Sequence, residues 1–284
     1  MVELRPYPPA ATVGYAVRSA WAEHRADRVE RGKLAKLLTV RFLAAYGGLQ
    51  VTLDAAPPRL LWPDPPALAE TTRRLAGLYR RLVLAVTPAG QPAALRNLPD
   101  LQAAWPALKA ALTARYARQD AVTTRLIEAT ETQLRDPAAV FASLRHDYFY
   151  QLFFNGLAGQ RFALGHAYAG PRTLSRFVAG TDLGFREVVE LLPGAPLAPT
   201  ATFRGRGTLD PARTPRAPLG QAVQARLALD PPLDPAQLRF TYETGYELEK
   251  STGLPVAITA RFGIAYRDQY RKDYQMTIQR VAAP

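Results

Sequence analysis

The chain contains no cysteine, only three histidines and only two methionines. The missing cysteine excludes disulfide frameworks, iron–sulfur clusters, thiolate-ligated zinc and any thiol nucleophile. His24, His146 and His166 fall in neither an H-x-H nor an H-x-x-x-H arrangement, so the sequence offers no histidine-based metal site. No cofactor is therefore expected. No apolar run approaches the roughly 18 residues that a membrane-spanning helix needs, so no membrane span is expected. The opening Met1-Val2-Glu3-Leu4-Arg5-Pro6 lacks the form of a secretory leader. A cytoplasmic location is the default expectation, and an extracytoplasmic one follows if a leader has been removed.

Catalytic and phosphate-binding motifs are equally scarce. There is no G-x-x-x-x-G-K-[ST] loop and no G-x-S-x-G elbow. Gly205-Arg206-Gly207 lacks the third glycine and the following helix that a dinucleotide fold requires.

What is present is a chain of 284 residues, 48% apolar, long and apolar enough to build a core without metal or disulfide staples. Its 36 Lys+Arg against 24 Asp+Glu give a net charge of +12. The excess is spread evenly: +3 over residues 1–66, +5 over 67–165 and +4 over 166–284. There is no basic tail and no run of three cations. Arginine supplies 31 of the 36 positive charges, beside 49 alanines and 25 prolines. All three residue types have GC-rich codons, so the bias is read first as solvated surface arginine. Arginine also pairs with phosphate and stacks on bases, which keeps a nucleic-acid partner as an alternative.

The pattern along the chain changes from strand to helix and back. Val13, Tyr15, Val17 and Trp21 recur with a period of two. After a polar break over 27–32 come a β-forming run over 34–43, Gly47-Gly48, and alternating Leu49, Val51 and Leu53. This predicts a three-strand antiparallel meander over 12–54. Five prolines between Pro57 and Pro66 exclude regular helix or central strand there. A helical middle over 66–157 follows, interrupted by a strand at Leu82, Leu84 and Val86. Thr87-Pro88-Ala89-Gly90 is read as a type II turn, with a return strand through Leu95. Leu101, Trp105, Leu108, Leu112 and Tyr116 mark one helix, and Val122, Leu126, Ile127 and Leu134 a second. Asp136-Pro137 opens a third, expected to run unbroken to Asn155-Gly156 through the aromatic stretch 148–154.

The C-terminal part, 170–282, reads as antiparallel β structure. Nine prolines between Pro193 and Pro235 favour loops and edge strands there over helix. In the last 45 residues Phe240, Tyr242, Tyr246 and Leu248 share one face, and Val256 to Tyr266 alternate without a break. Lys250-Ser251-Thr252-Gly253 is a hairpin loop with glycine at its left-handed position. The expected architecture is a single α+β domain over 1–284. Its N- and C-terminal β regions would form a curved antiparallel sheet or half-barrel, packed by a central run of three to four helices.

Two constellations are candidates for function. Tyr242, Tyr246, Tyr266, Tyr270 and Tyr274 combine apolar bodies with polar tips, so their face can line a ligand cavity or a protein interface. Core packing is the plainer explanation. Arg261, Arg267 and Arg271 fall on the opposite face, against a stacking platform for single-stranded nucleic acid. Glu243, Glu247 and Glu249 share one strand face, and with His146 and Asp147 they are the material for a carboxylate- or histidine-dependent hydrolase. Cross-strand pairing with arginines explains the glutamates without chemistry. The sequence thus leads to a non-enzymatic binding or scaffold protein, with an apolar small molecule or a protein as partner. A hydrolase is the alternative, and arginine-mediated nucleic-acid binding a further one.

Overall fold

The computed structural model describes residues 1–8, 10–25, 28–61, 66–116, 121–178, 180–195, 197–227 and 233–282, with backbone alone at 66–68, 226 and 227. Short β1 (Val2–Glu3) leads into β2 (Thr12–Arg25), β3 (Arg28–Ala45), β4 (Gly48–Ala55) and β5 (Arg59–Leu61). Helix α1 (Pro66–Leu78) precedes β6 (Arg81–Val86) and β7 (Pro92–Leu95). Four helices follow: α2 (Leu98–Tyr116), α3 (Ala121–Arg135), α4 (Pro137–His146) and α5 (Tyr148–Phe153). Then come β8 (Arg161–Phe162), β9 (Ala167–Val178), β10 (Thr181–Leu191) and β11 (Thr200–Leu209). Helix α6 (Arg216–Leu227) separates these from β12 (Leu238–Glu249), β13 (Pro255–Tyr266) and β14 (Tyr270–Val281).

Twelve strands form one antiparallel sheet in the order β7-β6-β4-β3-β2-β14-β13-β12-β11-β10-β9, with β5 pairing on β3. Strands β1 and β8 make a separate two-stranded sheet. The two β regions foreseen in the sequence meet in the middle of the large sheet. There β14 pairs with β2 over twelve residues, from Tyr270 opposite Arg25 to Val281 opposite Gly14.

The expectation of a curved sheet or half-barrel is corrected. Among the described residues the strands follow one open path, and no ladder joins β7 to β9. The two strands that end this path come from the interior of the chain, and each carries a proline. The four-residue β7 begins with Pro92, and β9 carries Gly170-Pro171. Proline has no N–H to donate, which confines it to edges.

Alternation decides which face is covered. On β12 to β14 Tyr242, Tyr246, Ile258, Phe262, Tyr270 and Ile278 are buried, whereas Arg239, Arg261, Arg271 and Gln275 are exposed. The buried face meets the helices, with Tyr148 of α5 packed edge-on against Phe262 at 5.6 Å and Tyr274 at 4.9 Å between ring centroids.

Several local expectations hold. The meander β2-β3-β4 is present, although β3 begins at Arg28, so residues 28–32 of the polar break belong to the strand, and Asp27 lies outside the described residues. Within 57–66, residues 62–65 also lie outside them. Of the rest, Arg59–Leu61 forms the edge strand β5 and Pro66 is the first residue of α1. The 250–254 loop holds Gly253 at φ +64, where a side chain would strike the Arg5 carbonyl at 2.3 Å.

Others need correction. At 87–90 the positive φ belongs to Gly90 and not to Ala89. With the Gly90 N–H donating to the Thr87 carbonyl at 2.9 Å, this is a type I turn followed by a left-handed glycine, not type II. The proline-rich stretch 193–235 contains α6, which the prolines argued against. Pro215 precedes this helix and Pro218 sits in its first turn, where the missing N–H has no intrahelical partner to lose. Pro196, Pro231 and Pro232 lie outside the described residues.

The third helix is also two helices. Asp136 caps α4 as expected, accepting from the Ala138 N–H at 2.9 Å. At Asp147 the backbone is extended (φ −67, ψ 134), and its carboxylate accepts from the Phe149 N–H at 2.8 Å to start α5. Asp147→Ala is expected to cost about 1 kcal/mol, the usual worth of an N-cap. Asp147→Asn should retain most of that stability. Urea titration of the three proteins measures the difference.

Candidate functional site

The five tyrosines lie on the helix-facing side of β12, β13 and β14. Tyr242, Tyr246, Tyr266 and Tyr270 are buried and Tyr274 is half-buried. Tyr242 packs between Phe185 (5.1 Å) and Phe262 (4.8 Å). Burial pushes the Tyr242, Tyr246 and Tyr274 hydroxyls well above the usual phenol pKa, so they stay protonated. None of the five lines either of the two cavities described below.

Beside them lies a buried ionic network that the sequence pattern did not single out. Glu187, on the inward face of β10, is 1% exposed. Its carboxylate accepts from Arg172 Nε at 2.6 Å, Thr244 Oγ1 at 2.6 Å and Tyr246 Oη at 3.1 Å. Burial alone would lower the Arg172 pKa, but the charge and hydrogen bond of Glu187 outweigh it and raise it, keeping the guanidinium charged. Arg172 also donates to the Asn155 carbonyl at 3.0 Å, tying β9 to the segment after α5.

The network explains Gly205 and Gly207. A Cβ at Gly205 would stand 2.0 Å from Thr244 Oγ1 and 2.6 Å from Glu187 Oε1, and one at Gly207 would stand 2.5 Å from the Tyr242 ring. These glycines make room for side chains rather than for a phosphate.

The first cavity is apolar and lies between the sheet and the helices. It opens to solvent and holds about 430 Å³. Leu34 and Leu38 of β3, Leu53 of β4 and Leu82 of β6 form its floor, and Leu75 and Ala76 of α1, Leu126 of α3, Leu144 of α4 and Phe149 of α5 its opposite wall. The Lys36 ammonium sits 5.3 Å from the centre of the Phe149 ring. The leucines are the apolar stripes that predicted strands and helices. That those stripes leave space between them is a property of helix placement and has no signature in the sequence.

The second cavity, about 380 Å³, is polar and cationic. It is bounded by the end of α4, by α5 and the segment after it, by β9, and by Arg213 ahead of α6. Tyr150 lines both cavities.

The hydrolase candidates are dispersed. His146 is exposed at the end of α4, and the neighbouring Asp147 is occupied as a cap. Glu243 is exposed on the far face of the sheet, standing opposite Arg206 on one side and Arg261 on the other. Glu247 accepts from Thr200 Oγ1 at 3.2 Å. Glu249 accepts from Thr252 Oγ1 at 2.7 Å and from Arg280 at 3.1 Å, which together hold its pKa below the usual carboxylate range. Among the described residues, no group of three or more His, Asp or Glu side chains is placed to hold a metal ion. No helix there is long and apolar enough to cross a membrane.

No protein-family model matches the chain, and no curated protein matches it either.

Proposed function

We propose that this protein binds a small apolar molecule in the cavity between the sheet and helices α1, α3, α4 and α5. The observation that carries this reading is the leucine-rich lining around about 430 Å³, within the range of small-molecule sites and floored by rigid strands. An apolar cavity of this size gains stability by admitting an apolar guest, whose surface is removed from water as it enters.

Titration with Nile red, a neutral apolar fluorophore, tests the reading. Saturable binding with one site per chain is expected. Ala76→Trp on α1 fills the cavity from its wall and should weaken binding by about tenfold or more, since a blocked site loses most of the buried ligand area. Leu126→Phe, a smaller change, serves if Ala76→Trp does not fold. Absence of saturable binding, or binding indifferent to both substitutions in folded protein, would overturn the proposal.

A further inference from the structure

The cationic pocket carries an inference that does not depend on the apolar cavity. Its lining includes Arg145, His146, Arg172 and Arg213 and not one aspartate or glutamate. Arg172 is compensated from behind by Glu187. Arg213 is fixed by neutral acceptors, donating to the Arg172 carbonyl at 3.2 Å and to Thr173 Oγ1 at 2.5 Å. Arg145 lies over the Phe141 ring at 5.9 Å. Among the described residues neither Arg145 nor Arg213 forms an ion pair with a carboxylate. Guanidinium groups gathered in one concavity repel one another and concentrate anions from solution.

A second observation is independent of charge. Asn155 lines the same pocket and is 3% exposed. Its Oδ1 accepts from the Leu157 N–H at 2.9 Å, but its Nδ2 has no partner. Buried amide donors are almost always satisfied, and an exception calls for an acceptor. Next to it Gly156, at φ +80, keeps the floor open, because a Cβ there would stand 2.7 Å from Gln91 Nε2.

We infer that this pocket binds the oxyanion of a phosphate- or carboxylate-bearing small molecule, gripped by Arg145 and Arg213 with Arg172 and Asn155 Nδ2 beneath. Guanidinium forks match the oxygens of such groups, and a donor-lined pocket without carboxylates repels cations. The oxyanion belongs either to a free phosphorylated compound or to the head of an amphiphile whose chain reaches past Tyr150 into the apolar cavity. The second source alone rests on the function proposed above.

Calorimetric titration with inorganic phosphate, dioctanoyl phosphatidate and uncharged dioctanoylglycerol separates these cases. One phosphate site per chain is expected, weakened by about tenfold in both Arg145→Gln and Arg213→Met, since each removes a charge-assisted contact. Both variants leave the Arg172–Glu187 pair in place. Phosphatidate binding that displaces Nile red assigns the oxyanion to an amphiphile, and phosphate binding without such displacement assigns it to a free compound. A readout without variants is protection of Arg145 and Arg213 by phosphate against phenylglyoxal, mapped by mass spectrometry. Failure of both phosphate and phosphatidate to bind, or binding unchanged in both variants, overturns the inference. Phosphate binding alongside a failed Nile red titration would leave it standing and remove only the apolar reading.

Discussion

Arg172→Ala is expected to lower the folding free energy by about 3–5 kcal/mol, the usual cost of leaving a buried charge without its partner. The geometry puts this position at the upper end of single-substitution effects. The Arg172 and Glu187 side chains are 13% and 2% exposed, so solvent cannot replace what is lost. Thr244 and Tyr246 would still donate to Glu187, but two hydroxyls do not neutralise a carboxylate. The same substitution frees the Asn155 carbonyl and unties β9 from the segment after α5. Replacing both partners, as in Arg172→Met with Glu187→Leu, removes the stranded charge. It should recover much of the stability, less what Thr244 and Tyr246 lose as donors without an acceptor. Guanidinium denaturation of wild type, single and double variants forms the test. A single variant within 1 kcal/mol of wild type would contradict the network as described.

Phe153→Ala should cost a similar amount, about 3–5 kcal/mol, for a different reason. Phe153 is fully buried and sits at the junction of α5 with the sheet. Its ring lies 5.1 Å from Tyr15 of β2, 5.4 Å from Phe149 and 5.1 Å from Phe154, while Tyr7 donates to its backbone carbonyl at 3.2 Å. Truncation opens a cavity bounded by a strand on one side and a short helix on the other. A six-residue helix has little stability of its own, so its place depends on that packing. The near-UV dichroism of the aromatic cluster is expected to weaken along with the denaturation midpoint. An unchanged near-UV spectrum would show that α5 is held by something other than Phe153.

Much of the secondary structure was readable because burial leaves a period in the sequence. Val256 to Tyr266 alternates with a period of two since one face of β13 packs on helices and the other meets water. Asp136-Pro137 announced α4 because a carboxylate cap and a pre-set φ act within a few residues. Asp147 was missed by the same logic. It follows Arg145 and His146 on the exposed side of the chain and precedes a run of aromatics, so it reads as one more polar position of a continuous helix and not as the turn that its carboxylate makes. Helix α6 was missed because proline count was weighed without regard to proline position.

The functional region shows the sharper division. The five tyrosines stood out because large amphipathic residues on strands are conspicuous, and the structure puts them against helices, away from both cavities. Glu187 was not conspicuous, being one of 24 acidic residues, yet the fold buries it beneath an arginine, a threonine and a tyrosine. Arg145, Arg172 and Arg213 were counted only within an evenly spread charge of +12.

The absence of cysteine, the scarcity of histidine and the alternation of the strands are local properties, and the sequence by itself determined which chemistries are closed and that the chain is α+β. Whether the sheet closes, where the helices stand off it, and which arginines meet without a counterion are decided by contacts between residues tens to hundreds of positions apart. Such contacts add no period and no motif to the chain. The tertiary structure therefore turned an undistinguished surplus of arginine into one pocket, and left the sheet an open path of strands.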